Sequence, residues 1–308
     1  MKIFTKQKII ELIKRTSIYP FLKSKLYQTK EEDYISSLLS SSDTNKFITK
    51  MILSDKPFII SRLGTTEIGV LKTYEKKKKY IDKQKKIIMQ YSGFYPVDDD
   101  NLDKFCKLYQ KIIPNIDLAG ISFIPFENIL INKYAPHAKL TKLRNLEPYF
   151  YDEPWSQYLQ GKKILVIHPF ANSIKSQYLK RNKLFQNPKV LPKFELITYQ
   201  AAQTLGGSDE YSSWFEALEK MENDINKIDF DIAIIGAGVY GLPLSNYIKS
   251  IGKSAIHLGG STQMMFGVYG QRWAIHPDFK NIINDNWVKP SLAETPSSAK
   301  NVENACYW

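Results

Sequence analysis

The second half of the chain alternates two hydrophobic rhythms. Short, mostly apolar runs occur at Lys163–Ile167, Phe194–Tyr199, Asp231–Ile235 and Ser254–Leu258. Runs of this length, rich in isoleucine and valine, predict strands, the first of them buried. Between them apolar residues recur at helical spacing: Trp214, Leu218, Met221 and Ile225 mark one helix face, and Leu242–Ile251 predicts another helix. Strands alternating with helices predict a parallel sheet covered on both sides. The expected class is α/β, a mostly parallel Rossmann-like sheet preceded by an N-terminal helical segment.

The first half is less regular. Residues 1–28 read as a basic amphipathic helical region interrupted at Pro20, of the kind that lies on an anionic membrane surface or packs on its own domain. Residues 33–54 read as a second helix. Lys56–Ser61 predicts a strand, and Arg62–Glu67 the turn after it. One long helix is expected from Thr65 to Met89, with Lys76–Lys79 as a solvated face. Tyr91–Pro96 breaks it, and Asp98, Asp99 and Asp100 suit the start of the next helix. Ile116–Phe123 and Asn128–Tyr134 fit either strand or helix. The expected organisation is a lead segment over 1–55, a catalytic α/β domain over 56–290 and a tail over 291–308 whose aromatic end, Tyr307-Trp308, can dock.

Composition narrows the class. With 308 residues, 43% hydrophobic and 24% charged, the chain is globular. It contains no apolar run of the length that spans a bilayer. Two distant cysteines and four scattered histidines make neither a disulfide framework nor a zinc site. No signal peptide is legible, so a cytoplasmic location, with peripheral contact at the inner membrane face, is expected. The net charge of +12 suits anionic lipid, nucleic acid or phosphate-bearing substrates. No recognition helix or RNP-type sequence accompanies it, so nucleic acid is not an expected partner.

Candidate chemistry clusters at strand ends. Gly236-Ala237-Gly238-Val239-Tyr240-Gly241 is a literal G-x-G-x-x-G between a strand and a helix. Such a loop lets a phosphate approach the backbone, or simply makes a tight turn. Dinucleotide binding would need an acidic residue at the end of the next strand, but that strand ends in His257-Leu258-Gly259-Gly260, followed by Gln263. NAD and FAD are therefore not expected. Ligands of parallel sheets bind beyond the carboxyl ends of the strands, so both glycine loops are expected to line one crevice. Arg272 can pair with a diphosphate, and Trp273 can stack on a base or sit in the core. His168, at a third strand end, is a structural or a catalytic histidine; Asn172 or Ser173 is expected to cap the helix after it. Arg62, Gly64 and Glu67 bring a cation, a turn and a carboxylate to one rim. Glu67 there is a metal ligand, a base for an acceptor hydroxyl, or a charge matched to a helix start. Asp209, after Gly206-Gly207-Ser208, is the rival base.

An early R-x-G-x-x-E followed by late glycine-bearing strand ends resembles the GT-D-type glycosyltransferases, first described in bacterial glycoprotein glycosylation. The matching stretches are Ser61–Glu67, Asp231–Leu244 and Ala255–Phe266. Pro154–Ser156, Lys163–Phe170 and Asn301–Trp308 also resemble uncharacterised proteins of bacterial surface-polysaccharide loci. The first resemblance implies sugar transfer from a nucleoside diphosphate donor, with a metal held by Asp-x-Glu inside R-x-G-D-x-E. Here Thr65 stands where that motif has aspartate, and a hydroxyl is a poor ligand for a hard cation. Mn²⁺ or Mg²⁺ on Glu67, or basic residues in its place, are the alternatives. The expected partners are a nucleotide-sugar donor, bound by Arg62, Gly64, Gly236, Gly238, Tyr240, Gly241, His257, Gly259, Gly260, Gln263 and Arg272, and a surface glycan or lipid-linked acceptor served by Glu67, Asp209 or His168. A redox enzyme binding a nucleotide or dinucleotide, and a non-catalytic scaffold of polysaccharide assembly, are the competing readings.

Overall fold

A computed structural model describes residues 34–208, 210–295 and 306–308. The expected basic helix over 1–28, with its membrane contact, lies outside the described residues, as does Asp209. The compact unit carrying the sheet is Leu39–Trp308. Its centre is a seven-stranded, wholly parallel sheet: β1 (Ile59–Ser61), β2 (Leu118–Ile121), β3 (Lys139–Lys142), β4 (Lys163–His168), β5 (Glu195–Gln200), β6 (Ile232–Ile235) and β7 (Ser254–His257), in the order β3-β2-β1-β7-β6-β4-β5.

The helices are α1 (Ser41–Ile52), α2 (Thr65–Glu75), α3 (Asp82–Ser92), α4 (Asp99–Ile112), α5 (Glu127–Tyr134), α6 (Ala171–Tyr178), α7 (Trp214–Ile225) and α8 (Gly241–Ser250), then the short α9 (Ser261–Met265) and α10 (Gln271–Ala274). Side-chain caps start three of them: Ser40 accepts from Asp43 N, Asp98 from Asn101 N and Ser213 from Glu216 N. Each strand residue alternates faces. Ile60, Ile164, Val166, Ile232, Ile234 and Ile256 join a core with Ile48 and Ile52 of α1, Ile174 of α6 and Trp155. The opposite face is covered by α8, which packs on β1, β6 and β7 and against α4 and α7. Among the described residues no helix is long and apolar enough to cross a membrane.

The α/β class and the parallel sheet agree with the hydrophobic rhythm, but three local expectations change. The single helix over 65–89 is two, α2 and α3, parted at Lys76–Ile81, where Lys77 adopts φ 51°. Consecutive lysines repel along a helix, and Asp82 suits a fresh N-terminus. Of the two ambiguous segments, the first holds strand β2 and the second forms α5. Strand β3, Lys-Leu-Thr-Lys, escaped the pattern because it is a short edge strand with exposed lysines at both ends.

Candidate active site

The order of the strands makes the crevice. From β4 the chain runs through α6 outward to β5; from β6 it runs through α8 the other way, to β7. Connections that diverge from neighbouring strands leave an opening at their carboxyl ends. A cleft of about 380 Å³ lies there, lined by residues that follow β1, β4, β5, β6 and β7. Arg62, Gly64, Glu67, His168, Gly236, Gly238, Tyr240, His257, Gly259, Gly260, Gln263 and Arg272 all line it, as do Thr65 and Thr66. Gly241 does not.

The β1 rim holds the charged pair. Gly64 precedes the first turn of α2, and a Cβ there would sit 2.1 Å from Glu67 Oε2. Glycine thus leaves room for the carboxylate to fold back over the turn and face the cleft. Glu67 is 6% exposed; its Oε2 accepts a hydrogen bond from Thr66, whose hydroxyl also bonds Ser92 at the end of α3. The Ser92–Thr66–Glu67 chain of hydroxyls fixes the carboxylate's orientation. Arg62 lines the same cleft, donating from Nη2 to its neighbour's carbonyl, Leu63 O, at 3.2 Å. Its buried Nε has no partner, and among the described residues it forms no ion pair. A guanidinium in a cleft with no ion pair is a ready site for an anion.

The G-x-G-x-x-G loop works differently. A Cβ on Gly236 would meet His168 Cδ2 at 2.5 Å and Gly259 O at 2.6 Å; one on Gly241 would meet His257 Nε2 at 2.1 Å. Gly238 sits at φ 53°, in the left-handed region that glycine enters freely. A 3₁₀ turn, Gly238–Tyr240, then leads into α8. The outer glycines therefore accommodate two imidazoles, from the ends of β4 and β7, on either side of β6. This removes the motif as an argument for a dinucleotide.

Both imidazoles are neutral. Burial pushes His168 down to about 3, and burial together with the nearby Arg62 charge does the same for His257. Phe170 N–H donates to His168 Nδ1 at 2.9 Å, so the ring's proton is on Nε2. His168 can donate a hydrogen bond but is no base at neutral pH. His257 Nδ1 and Ser61 Oγ share a hydrogen bond of 2.9 Å. Tyr240 is mostly core: its ring stacks on Trp214 at 5.3 Å, and its hydroxyl bonds Thr204 at 2.8 Å.

The start of α6 is not capped by Asn172 or Ser173, as expected from the residue types. Glu294 reaches it from far along the chain instead, accepting from Asn172 N at 2.7 Å, from Ser173 N at 3.2 Å and from the Ser173 hydroxyl. That carboxylate fills the α6 N-terminus, which otherwise favours anions.

A hard divalent cation prefers several oxygen ligands. Among the described residues no group of three metal-binding side chains exists, and Glu67 is the one carboxylate lining the cleft. These residues do not form a resident metal cage. Sequence reasoning also missed Thr66 and Ser92, which hold Glu67, and Gln203 and Thr204, which wall the cleft after β5. Hydroxyls and amides in loops carry no periodicity; the one signal was Gly93, which ends α3 at φ 82° and leaves Ser92 at the rim.

No curated protein and no solved structure matches the chain. The GT-D fold-like domain model matches residues 39–265, a stretch holding all seven strands, the β1 rim and both glycine loops. The chain belongs to the GT-D-like family.

Proposed function

We propose that the chain is a glycosyltransferase acting on a nucleoside diphosphate sugar, with a bacterial surface glycan, free or lipid-linked, as acceptor. The observation that carries the reading is a cation and a carboxylate, Arg62 and Glu67, held in one cleft without pairing, within a GT-D-like domain. An arginine without an ion pair suits a diphosphate; a fixed carboxylate suits proton removal from a hydroxyl.

In the proposed step the acceptor oxygen attacks the anomeric carbon and the bond to the donor's phosphate oxygen breaks. The acceptor's hydroxyl proton passes to Glu67, and the electron pair leaves on the diphosphate. Negative charge grows there, so Arg62 stabilises the transition state more than the ground state. Thr66 and Ser92 hold Glu67 in place. His168 and His257, neutral, contribute donors and shape and no charge. For a divalent cation the lining offers one carboxylate, Glu67, which cannot serve as its ligand and as the base at once, so the roles above are written without one. Synthesis on the cytoplasmic membrane face fits such an acceptor.

The test is a thermal-shift panel of UDP-, GDP-, CMP- and dTDP-sugars, with NAD and FAD for comparison, followed by release of the free nucleotide. A ligand that binds only the folded state raises the melting temperature. A shift with one nucleotide-sugar class, lost in Arg62→Ala, is expected. A shift with NAD or FAD alone would refute the transferase reading.

A further inference from the structure

The family match ends at residue 265, yet the chain beyond it returns to the cleft. Its last described residues are pinned there from several directions. Gln271 N–H donates to Trp308 O at 3.2 Å, Arg272 N–H to Cys306 O at 3.0 Å, and Gln263 Nε2 to Tyr307 O at 3.1 Å. The Trp308 indole N–H donates to Glu294 O at 3.1 Å. Two glycines make room: a Cβ on Gly270 would lie 2.3 Å from the Tyr307 carbonyl carbon, and one on Gly260 would lie 2.9 Å from the Tyr307 ring. The segment is therefore built in.

The cleft has two unlike ends. Arg62 and Glu67 follow β1. Phe170 follows β4, and the Trp308 ring packs edge-on against it at 5.8 Å. Tyr307 also lines the cleft, between the two ends: its ring lies over Gly260, after β7, with the Arg272 guanidinium 4.6 Å from its centre. Strands β7 and β6 lie between β1 and β4, so the two ends are about 14 Å apart by inter-strand spacing. That is the length scale of an extended nucleoside diphosphate. One end suits phosphate charge and the reacting sugar. The other is walled by aromatic rings that are mostly buried, Trp308 at 8% exposure and Phe170 at 2%, and the apolar surface they present to the cleft suits a nucleobase.

We propose that Tyr307 and Trp308 form the nucleobase-recognition wall of the cleft, a specificity element lying beyond the family-matched residues. The inference rests on the nucleotide-sugar reading. It orients the donor: base against Trp308, the Tyr307 ring over Gly260 walling the middle of the cleft, diphosphate beside Gly259 and Arg62, sugar beside Glu67.

The test is calorimetric titration of the full chain, Trp308→Ala and Trp308→Phe with UDP, GDP, CDP, dTDP and inorganic pyrophosphate. Loss of one base-stacking ring weakens binding by about tenfold or more. Trp308→Ala should lose that factor for the preferred nucleoside diphosphate and keep its affinity for pyrophosphate, which also shows that the cleft is folded. Trp308→Phe should recover most of the loss. Equal losses for the nucleotide and pyrophosphate would overturn the proposal in favour of a purely structural wall. Unchanged binding would overturn it too, as would tighter binding, which would make Trp308 a plug. If the unmodified chain binds pyrophosphate but no nucleoside diphosphate, the nucleotide reading itself fails, and this proposal with it.

Discussion

The turn after β1 and the loop after β6 both spend glycines at a strand's carboxyl end, and to different purposes. At β1, Gly64 makes way for a carboxylate that faces the cleft beside an arginine without an ion-pair partner. At β6, Gly236 and Gly241 make way for two buried neutral imidazoles. The second loop has the more familiar pattern and carries no charge. The first has the weaker pattern and holds the reactive groups. A motif's resemblance to a phosphate cradle is thus a poor guide to where phosphate binds; what fills the missing Cβ positions is the better one.

The largest expected effect separates the two regions by activity. Glu67→Gln keeps the shape of the β1 rim and should cut turnover by on the order of 10²–10⁴-fold, with little change in melting temperature. Steady-state kinetics on the donor found by the binding panel would check it; full activity would move the base elsewhere, Asp209 first.

Gly241→Ala should show the reverse pattern. The added methyl collides with a buried ring, so stability should drop by about 1–3 kcal/mol, read as a lower denaturation midpoint. A second substitution, His257→Ala, should return part of the loss, because the methyl then has space. Absence of any coupling would deny the packing role given to the imidazole.

The imidazoles also set a pH dependence. In the folded chain they stay neutral down to about 3, against an ordinary 6.5. Between those values the unfolded chain binds more protons, so stability is intact above pH 6.5 and falls as pH drops toward 3. The loss should reach roughly 2 kcal/mol per ring by about pH 5. Denaturant titrations should show His257→Gln with a shallower acid loss. Glu222, on α7 and away from both loops, is a smaller control of opposite sign. Burial, then Glu219, raises it from 4.5 to about 7. Its folded form costs stability as pH rises from 4.5 to about 7, and Glu222→Gln should flatten that slope.

Much of the fold was legible because buried parallel strands are written as uninterrupted apolar runs: β4, β6 and β7 lie within a residue or two of where Lys163–Ile167, Asp231–Ile235 and Ser254–Leu258 place them. Strand ends were legible too, and with them the residues that line the cleft. Side-chain environment was not. Nothing local says that His168 has Phe170 N–H on Nδ1, or that Glu294 caps a helix beginning at Ala171. Those facts depend on contacts between segments far apart in sequence, and periodicity records only neighbours. Thr65 was visible as a departure from the family motif. Its consequence became plain only when Glu67 proved to be the one carboxylate lining the cleft among the described residues. Thr65→Asp is the corresponding gain-of-function test, expected to raise Mn²⁺ affinity by about tenfold in calorimetry.

The position of Trp308 has an optical consequence. All five tryptophans are buried, but Trp308, at 8% exposure, is the one among the described residues that lines the cleft, while Trp273 packs on Gly260 and Trp155, Trp214 and Trp287 lie away from it. A ligand entering the cleft therefore alters the surroundings of the indole at its wall and leaves the deeply buried emitters unchanged. The molecule carries an intrinsic fluorescence reporter of its own occupancy, whose signal should vanish with Trp308→Phe while the bulk of the emission persists.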